Sequence, residues 1–241
     1  MRKITTKIPW SPEVAVTLRA AVDIRENIAM KARIALDNRM RAIKQMTDDP
    51  GNSEQLRLLE EIAATIKPME VAAEKAMTAF VSNHPMHDQM TAIRGVGSVL
   101  AARILSMIDI HKVSSVSALW KWAGMHVVDG KAARPVKGQK LDYNPRLKTS
   151  MFIFADVQIR NRGPYRDDYD RAKAEYAEKY PEKSAAHIHK MAMRKASKLF
   201  LSHLWQVWRE MEGLPSDDAY ILTVGRHTHK IHPHERGWPK M

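Results

Sequence analysis

The 241-residue sequence contains no cysteine, and this absence excludes disulfide bonds, thiolate metal sites and thiol nucleophiles. No apolar run approaches the roughly 18 residues that a membrane span needs, and no apolar signal-peptide core follows the start. Both absences fit a protein of the reducing cytoplasm, and no membrane partner is expected. A hydrophobic fraction of 44% predicts a folded chain with a proper core rather than a disordered one.

Positive charge is what the sequence has in excess. Lys and Arg number 39 against 27 Asp and Glu, which gives a formal net charge of +12. This balance favours a polyanionic partner, with nucleic acid ahead of an anionic membrane surface. The alternative is a protein that is basic without such a partner. Residues 87–163 hold 12 Lys or Arg and 5 Asp, a net charge of +7, so we expect the partner to bind there.

Helix signals cover most of the chain and predict a mainly all-α fold. Ser11-Pro12-Glu13 supplies an N-cap, a first-turn proline and an acid, and apolar residues then recur at helical spacing to about residue 46. A turn at 48–53 leads into a second helix, which Pro68 is expected to kink or break. Residues 1–84 are thus predicted to form a helical arm. It is interpreted as a coiled coil shared with a second chain in a homodimer, the alternative being a self-contained hairpin.

A second domain is predicted over residues 85–213, where the elements become shorter. Residues 125–141 lack helical periodicity and are expected to form a loop or a small β-hairpin. The predicted helices end near residue 94 and span about 98–108, 116–123, 145–160, 164–180 and 183–212. Residues 214–241 are predicted to be a basic, His-rich tail with little to pack.

The strongest local signal is the run from Ile93 to Leu100, in which two glycines alternate with hydrophobic residues between two helices. This is the helix–hairpin–helix pattern, whose glycines let the backbone turn tightly and come close to a phosphate. The amides that begin the second helix then face that anion with the favourable end of the helix dipole. The alternative is an ordinary helical corner. The residues predicted to contact a phosphate here are Arg94, Gly95, Gly97 and Ser98.

A strip of basic residues follows in the loop and at the start of the next helix. Its members are Lys131, Arg134, Lys137, Lys140, Arg146 and Lys148. Such side chains contact the phosphate backbone and carry no sequence information. The strip is predicted to bind nucleic acid beside the hairpin, the alternative being a solvated face of a basic protein.

The aromatic and histidine clusters are assigned to packing and to the tail. Trp120 and Trp122 stand among core-type residues, so core packing is favoured over base stacking. Trp205 and Trp208 are expected in the core or at an interface. Four histidines between residues 227 and 234 have a metal-like density, but a structural zinc site needs four ligands on ordered backbone. No metal and no cofactor are therefore predicted.

Three runs together resemble a known family. Gly95-Val96-Gly97, Leu119–Met125 and Asp142–Lys148, in this order and spacing, are similar to the C-terminal domain of the insertion-sequence "one-ten" transposases, which include the Piv-type DNA invertases. The resemblance implies a DNA-binding protein of a mobile genetic element, related to DNA recombination.

The resemblance extends into the arm, because Leu18-Arg19 and Asn38-Arg39-Met40 are similar to the coiled coil that precedes this domain in the family. The family's ribonuclease-H-like domain, with its metal-binding carboxylates, is expected to be missing, since only about ten residues precede the arm. The family's serine nucleophile lies in a Ser-Gly-Lys-like stretch, and the best match here is Asp129-Gly130-Lys131. An aspartate would form an acyl phosphate, so strand transfer is not expected and no catalytic residue is assigned. Tyr143, the nearest hydroxyl, is assigned to packing.

These features predict a cytoplasmic, nucleoid-associated DNA-binding protein that derives from a transposase or invertase. It is expected to dimerise through its arm and to hold the backbone of duplex or branched DNA. Two alternatives stay open. One is an active truncated recombinase subunit, so enzymatic activity is undecided. The other is an RNA-binding or structural protein of a phage or mobile element, since some members of the family work with a guide RNA.

Overall fold

The structure is a computed structural model that describes residues 9–46, 50–128, 130–216 and 231–240. The chain divides into two compact units between His84 and Pro85. Across the described ranges the regular structure is nearly all helical, which confirms the mainly all-α fold. None of the described helices is long and apolar enough to cross a bilayer.

The first unit is a helical hairpin. Its first limb consists of α1 (Pro12–Asp23), a π-helical segment (Ile24–Ala29) and α2 (Met30–Lys44), and its second limb is α3 (Pro50–Val81). The first limb begins where the sequence predicts, because the Ser11 hydroxyl accepts a hydrogen bond from the amide of Val14 and Pro12 occupies the first turn.

Ion pairs between the limbs show that they run antiparallel. The pairs join Arg25 to Glu74, Arg33 to Glu70 and Lys44 to Glu60, so the second partner moves back along the chain as the first moves forward. The two limbs therefore pair within one chain.

The arm buries side chains only near one end. Leu18, Val22 and Met77 are buried there, with at most 2% of their surface exposed. Further out, none of residues 30–46 or 53–72 is buried. Over these residues the two limbs of the hairpin therefore contact each other without enclosing a hydrophobic core.

The predicted break at Pro68 is wrong, because α3 continues through it. A proline removes one backbone donor and leaves the neighbouring turns their own hydrogen bonds. The first limb also packs along α3 on both sides of this position. Tertiary contact therefore outweighs the local penalty.

The second unit is a cluster of helices with one short β-hairpin. Its elements are α4 (His87–Thr91), α5 (Ser98–Leu105), α6 (Val116–Trp122), β1 (Val127–Val128), β2 (Lys131–Ala132), α7 (Pro145–Arg160), α8 (Arg166–Lys179), α9 (Ala185–Met211) and a 3₁₀ turn (Pro233–Arg236). The strands pair antiparallel, with Val127 opposite Ala132, so the predicted loop or hairpin is a short hairpin.

An aromatic core holds α7, α8 and α9 together. The ring of Phe154 stacks on that of Phe200 with centroids 3.9 Å apart, and Tyr165 meets both rings edge-on. Trp205 and Trp208 are also buried, as predicted. The prediction is wrong for Trp122, which leaves 42% of its surface exposed.

The end of the chain packs into this core, so the prediction of a tail with little to pack is wrong for residues 231–240. Trp238 is 2% exposed and donates its indole N–H to the Tyr165 hydroxyl at 2.7 Å. Arg236 pairs with the buried Asp168 at 2.6 Å. These partners lie about 70 residues away in sequence, which local patterns do not reveal. The predicted tail histidines at 227 and 229 lie outside the described residues.

Candidate nucleic-acid interface

The turn between α4 and α5 is built around two glycines with different backbone geometry. Gly95 has a φ of +90°, a value that side chains disfavour. Gly97 is the N-cap of α5 with φ −93° and ψ 171°, which any residue can adopt. Ile93 and Val96 anchor the turn, since both are buried. Only the first glycine is therefore required by the backbone.

Gly95 lies against the far end of α7. A Cβ at Gly95 would stand 2.8 Å from Cγ1 of Val157 and 3.4 Å from Nε2 of Gln158, so a side chain has no room. The positive φ and the close approach together explain this glycine through packing.

The buried side chain of Gln158 holds the turn in place. This residue is 1% exposed, and its side-chain amide donates to the carbonyl of Arg94 at 2.8 Å. Its Oε1 accepts from the amide of Tyr165 at 3.4 Å. Gly163 makes space for it, because a Cβ there would lie 2.1 Å from that Oε1. A single buried side chain thus ties the turn to the α7–α8 connection.

The surface in front of Gly97 is open. No heavy atom lies within 4 Å of the position that a Cβ of Gly97 would take. Ser115, Asn144 and Ser184 cap α6, α7 and α9 with side-chain oxygens, whereas Gly97 gives the amides of α5 no such partner. The Arg94 side chain is exposed, and no carboxylate of the described residues pairs with it.

A hydrogen-bonded chain of three side chains adjoins this opening. His87 Nε2 lies 3.0 Å from the Ser98 hydroxyl, and His87 Nδ1 lies 2.9 Å from a carboxylate oxygen of Asp88. Because a carboxylate only accepts, Nδ1 carries the proton, and Nε2 accepts from the hydroxyl. The hydroxyl of Ser98 is thereby held at the start of α5.

The basic strip is exposed along most of its length. The side chains of Lys131, Arg134, Lys137 and Lys140 have no carboxylate partner among the described residues. Lys148 differs, since it is half-buried and donates from Nζ to the carbonyl of Ala133 at 2.6 Å. Lys131, Arg134, Lys137 and Lys140 are thus cations that no carboxylate of the described part of the chain neutralises.

Gly124 brings two of the family-like runs together. Its φ is +65°, and a Cβ there would lie 2.8 Å from the Tyr143 ring and 2.9 Å from Cδ of Lys148. The Lys148 Nζ lies 4.6 Å from the centre of the Tyr143 ring. The glycine that follows α6 therefore lets the start of α7 pack closely.

The structure does not bring the turn and the strip side by side. Gly95 contacts Val157 and Gln158 near the end of α7, whereas Lys148 stands in its first turn. Ten helical residues separate these positions, a distance of about 15 Å along the helix. The predicted residues thus form two patches.

Near the strip, the hydroxyl-bearing residues Ser150 and Tyr143 are buried, whereas Thr149 is exposed and donates to the carbonyl of Pro145 at 3.0 Å. Ser150 is fully buried and donates to the carbonyl of Arg146 at 3.0 Å. Tyr143 is 5% exposed, as expected of a packing residue. Asp129, which stands in place of the family serine, lies outside the described residues.

Residues 87–171 match the family model described as Transposase IS116/IS110/IS902 family. This segment belongs to that transposase family. The match starts at the first residue of α4 and ends within α8, so it contains the turn, the strip and the whole of α7. The resemblance drawn from the sequence runs is confirmed over these residues. No curated protein and no solved structure matches the chain.

Several polar residues of the transposase-family segment and its surroundings were not predicted from the sequence. Gln158 and His87 carry no local signal, because their roles depend on partners that the fold supplies. Arg194 and Lys198 belong to α9 and were interpreted only as parts of an amphipathic helix. A cation spacing of four residues in α9 was the one signal that could have revealed them.

Proposed function

We propose that this chain is a transposase-derived DNA-binding protein that holds the phosphate backbone at two patches. The first patch is the α4–α5 turn, acting as a helix–hairpin–helix, and the second is the basic strip. The observation that carries the proposal is the opening in front of Gly97, where the α5 amides have no side-chain cap and the nearby Arg94 is exposed.

The first patch has the chemistry of a phosphate site. The amides at the start of α5 lack a side-chain cap, and the helix dipole favours an anion there. Arg94 adds a full charge and Ser98 a hydroxyl. The backbone does not require glycine at position 97. The missing side chain instead leaves room for a phosphate to approach the amides of α5.

The second patch supports an extended ligand. About 15 Å along α7 separates it from the turn, so no single small anion reaches both. Nucleic acid offers phosphates repeatedly along its length. Five or more contacts would give a log–log salt slope at least as steep as about −4. Duplex or branched DNA is the partner we infer, and competition with structured RNA tests the alternative.

We expect DNA binding without strand transfer, because neither Ser150 nor Tyr143 offers an accessible hydroxyl near the strip. Strand transfer by the family's route needs a serine that becomes esterified to DNA. Ser150 and Tyr143 are both buried, and an aspartate stands at the serine position. We therefore expect no SDS-stable protein–DNA adduct, with Mg²⁺ or without it.

The outer arm supports a homodimer. Large apolar side chains remain exposed on both limbs, including Ile34 at 44% and Ile62 at 48%. A second copy would bury this seam as a coiled coil does. Sedimentation of Ile34→Glu/Ile62→Glu should then give a monomer, with the wild type at twice that mass. The control Val136→Glu/Phe152→Glu changes equally exposed apolar residues of the other unit and should leave the mass unchanged.

Gly97→Asp is the decisive test of the first patch. An aspartate at this N-cap satisfies the α5 amides, so thermal stability should hold or rise slightly. The same carboxylate occupies and repels a phosphate, so DNA affinity should fall about tenfold or more. Gly97→Val should also weaken binding at preserved helicity.

Ser115→Asp is the matched control, because it makes the same charge change at the N-cap of α6. It should leave affinity within about twofold. If Gly97→Asp and Ser115→Asp bind DNA equally well, the turn is only a packing corner and the proposal fails.

A second candidate function is DNA strand cleavage, which the Ser98–His87–Asp88 chain favours. His87 would take the hydroxyl proton while the Ser98 oxygen bonds to phosphorus. One phosphorus–oxygen bond of the strand would break, and its leaving oxygen would then receive that proton. An adduct that disappears in Ser98→Ala but persists in Ser150→Ala would establish this activity. No adduct in any variant leaves binding as the function.

A further inference from the structure

Helix α9 carries a row of cations without a carboxylate partner among the described residues. Lys190, Arg194 and Lys198 follow one another at intervals of four residues, so they share one face. Arg194 and Lys198 are half-buried, and no carboxylate of the described chain pairs with either. Like charges at this spacing destabilise a helix. The row therefore destabilises the folded state unless a ligand neutralises its charge.

A neighbouring lysine shows that α9 can neutralise its cations. Lys195, the residue after Arg194, donates to Glu175 of α8 at 2.6 Å. Lys195 is thus neutralised by α8, whereas no carboxylate of the described residues pairs with Lys190, Arg194 or Lys198.

Trp120 of α6 holds Lys198 in place. The Lys198 Nζ lies 3.8 Å from the centre of the Trp120 ring, and the indole N–H donates to the Lys198 carbonyl at 2.9 Å. The ammonium group covers this face of the ring, so a base cannot stack on that face. The tryptophan acts here as a support for a cation.

Lys148 brings a third cation from α7. Burial and the nearby charges of Arg194 and Arg134 lower the pKa of Lys148. Burial and the charge of Arg194 likewise lower the pKa of Lys198. The charge of Arg194, whose own pKa is lowered by burial, acts on both lysines. The two helices meet here, because the Ser197 hydroxyl of α9 donates to the carbonyl of Met151 of α7 at 3.1 Å. Two helices, α7 and α9, thus concentrate three positive charges among half-buried side chains.

Half-buried cations without a carboxylate partner are unfavourable, since they lose hydration and gain no counter-charge. An anion removes both penalties. The guanidinium of Arg194 offers a planar pair of donors that fits a phosphate, and the two ammonium groups add point charges.

We propose that Lys148, Arg194 and Lys198 form a phosphate-binding pocket that takes one phosphodiester group of the bound nucleic acid. The pocket continues the basic strip inward from Lys148 onto α9. This inference rests on the proposed function and adds to it two residues outside the family-matched segment, since Arg194 and Lys198 follow residue 171.

The test compares two double variants with equal charge change. Arg194→Gln/Lys198→Gln removes two unpaired cations, and Lys183→Gln/Lys195→Gln removes two that pair with carboxylates. The first should lower DNA affinity about tenfold or more and flatten the salt slope by about 2. The second should leave the slope unchanged.

Stability separates ligand binding from a structural role. In the absence of ligand, Arg194→Gln/Lys198→Gln should melt at or above the wild-type Tm, because mutual repulsion is relieved. Arg194→Lys/Lys198→Arg keeps both charges and should keep most of the affinity. An unchanged salt slope in the Gln variant, or a Tm well below that of the wild type, would overturn the pocket.

Inorganic phosphate distinguishes failure of the pocket from failure of the proposed function. At constant ionic strength, phosphate in place of chloride should raise the Tm of the wild type but not of Arg194→Gln/Lys198→Gln. If the wild type binds no DNA and this difference persists, the proposed function is wrong and the pocket takes a phosphate from another source. If Gly97→Asp weakens DNA binding while the Gln variant matches the wild type in both assays, the pocket is wrong and the function stands.

Discussion

The two units of this chain differ in how some of their cations are used. In the arm, Arg25 and Arg33 each lie 2.7 Å from a glutamate of the opposite limb, so their charges serve the hairpin itself. In the second unit, Lys131, Arg134 and Arg194 have no carboxylate partner among the described residues. Cations that the fold does not neutralise remain available to a ligand. The net charge of the whole chain conceals this division.

The units also differ in what stabilises them. The outer arm contains no buried side chain, whereas the second unit encloses Phe154, Phe200 and Trp238. Exposed ion pairs stabilise a fold by about 1 kcal/mol at most. Buried aromatic side chains contribute several times more. We expect substitutions in the second unit to have large effects and those in the arm to have small ones.

The largest effect is expected for Trp238→Ala, which should lower the free energy of unfolding by about 3–5 kcal/mol. The change removes a buried indole and leaves the Tyr165 hydroxyl without its donor. Near-UV circular dichroism is the measurement, because five of the six tryptophans and all six tyrosines follow residue 84.

Trp122→Ala is the control for Trp238→Ala, since it deletes the same side chain at a site that is 42% exposed. Its cost should be clearly smaller. Equal losses in the two variants would show that residues 231–240 do not belong to the core.

Much of the helical framework could be predicted because it follows local rules. Ser11-Pro12 and Asn144-Pro145 both begin helices, with the cap oxygens accepting backbone amides as the sequence suggests. The turn at Gly95-Val96-Gly97 is also local, since only a few residues decide it. The family match over 87–171 rests on runs of the same kind.

What could not be predicted depends on contacts between distant residues. Trp238 meets Tyr165 across 73 residues, and Gln158 reaches Arg94 across 64. The two glycines of the turn show the same limit. Their sequence context is alike, yet only Gly95 has a positive φ.

A pH dependence is the second prediction. Burial lowers the pKa of His203 from 6.5 to about 4, and its Nε2 donates to the carbonyl of Ile231 while Nδ1 accepts from Tyr165. The unfolded state therefore binds a proton more readily than the folded state. This stability is fully present above pH 6.5 and is lost as the pH falls towards about 4, by about 3 kcal/mol.

Denaturation at pH 7.5 and pH 4.5 measures this loss, and His203→Gln is the control. Glutamine does not titrate, so the difference between the two pH values should shrink in the variant. A difference of the same size in both proteins would assign the pH dependence to other groups.

Gly163→Ala is expected to cost about 1–3 kcal/mol. The added methyl would displace Oε1 of Gln158, and the side chain would lose its hydrogen bonds to Arg94 and Tyr165. DNA affinity should fall as well, because the turn loses its support. Gly97→Ala adds the same methyl in open space and should leave stability within about 0.5 kcal/mol. Equal stabilities would show that Gln158 moves aside freely.

The smallest effect is expected in the arm, for the pair of Arg25 and Glu74. A double-mutant cycle with Arg25→Gln and Glu74→Gln should give a coupling of about 0.5 kcal/mol, because the glutamate side chain is 45% exposed. The far-UV signal reports the arm in this cycle, and 1 M salt should remove most of the coupling, since the Debye length is then about 3 Å. A coupling of several kcal/mol that survives salt would mean that ion pairs hold the outer arm together. The hairpin would then be stable without a second copy, and the proposed homodimer would lose its support from the weak outer arm.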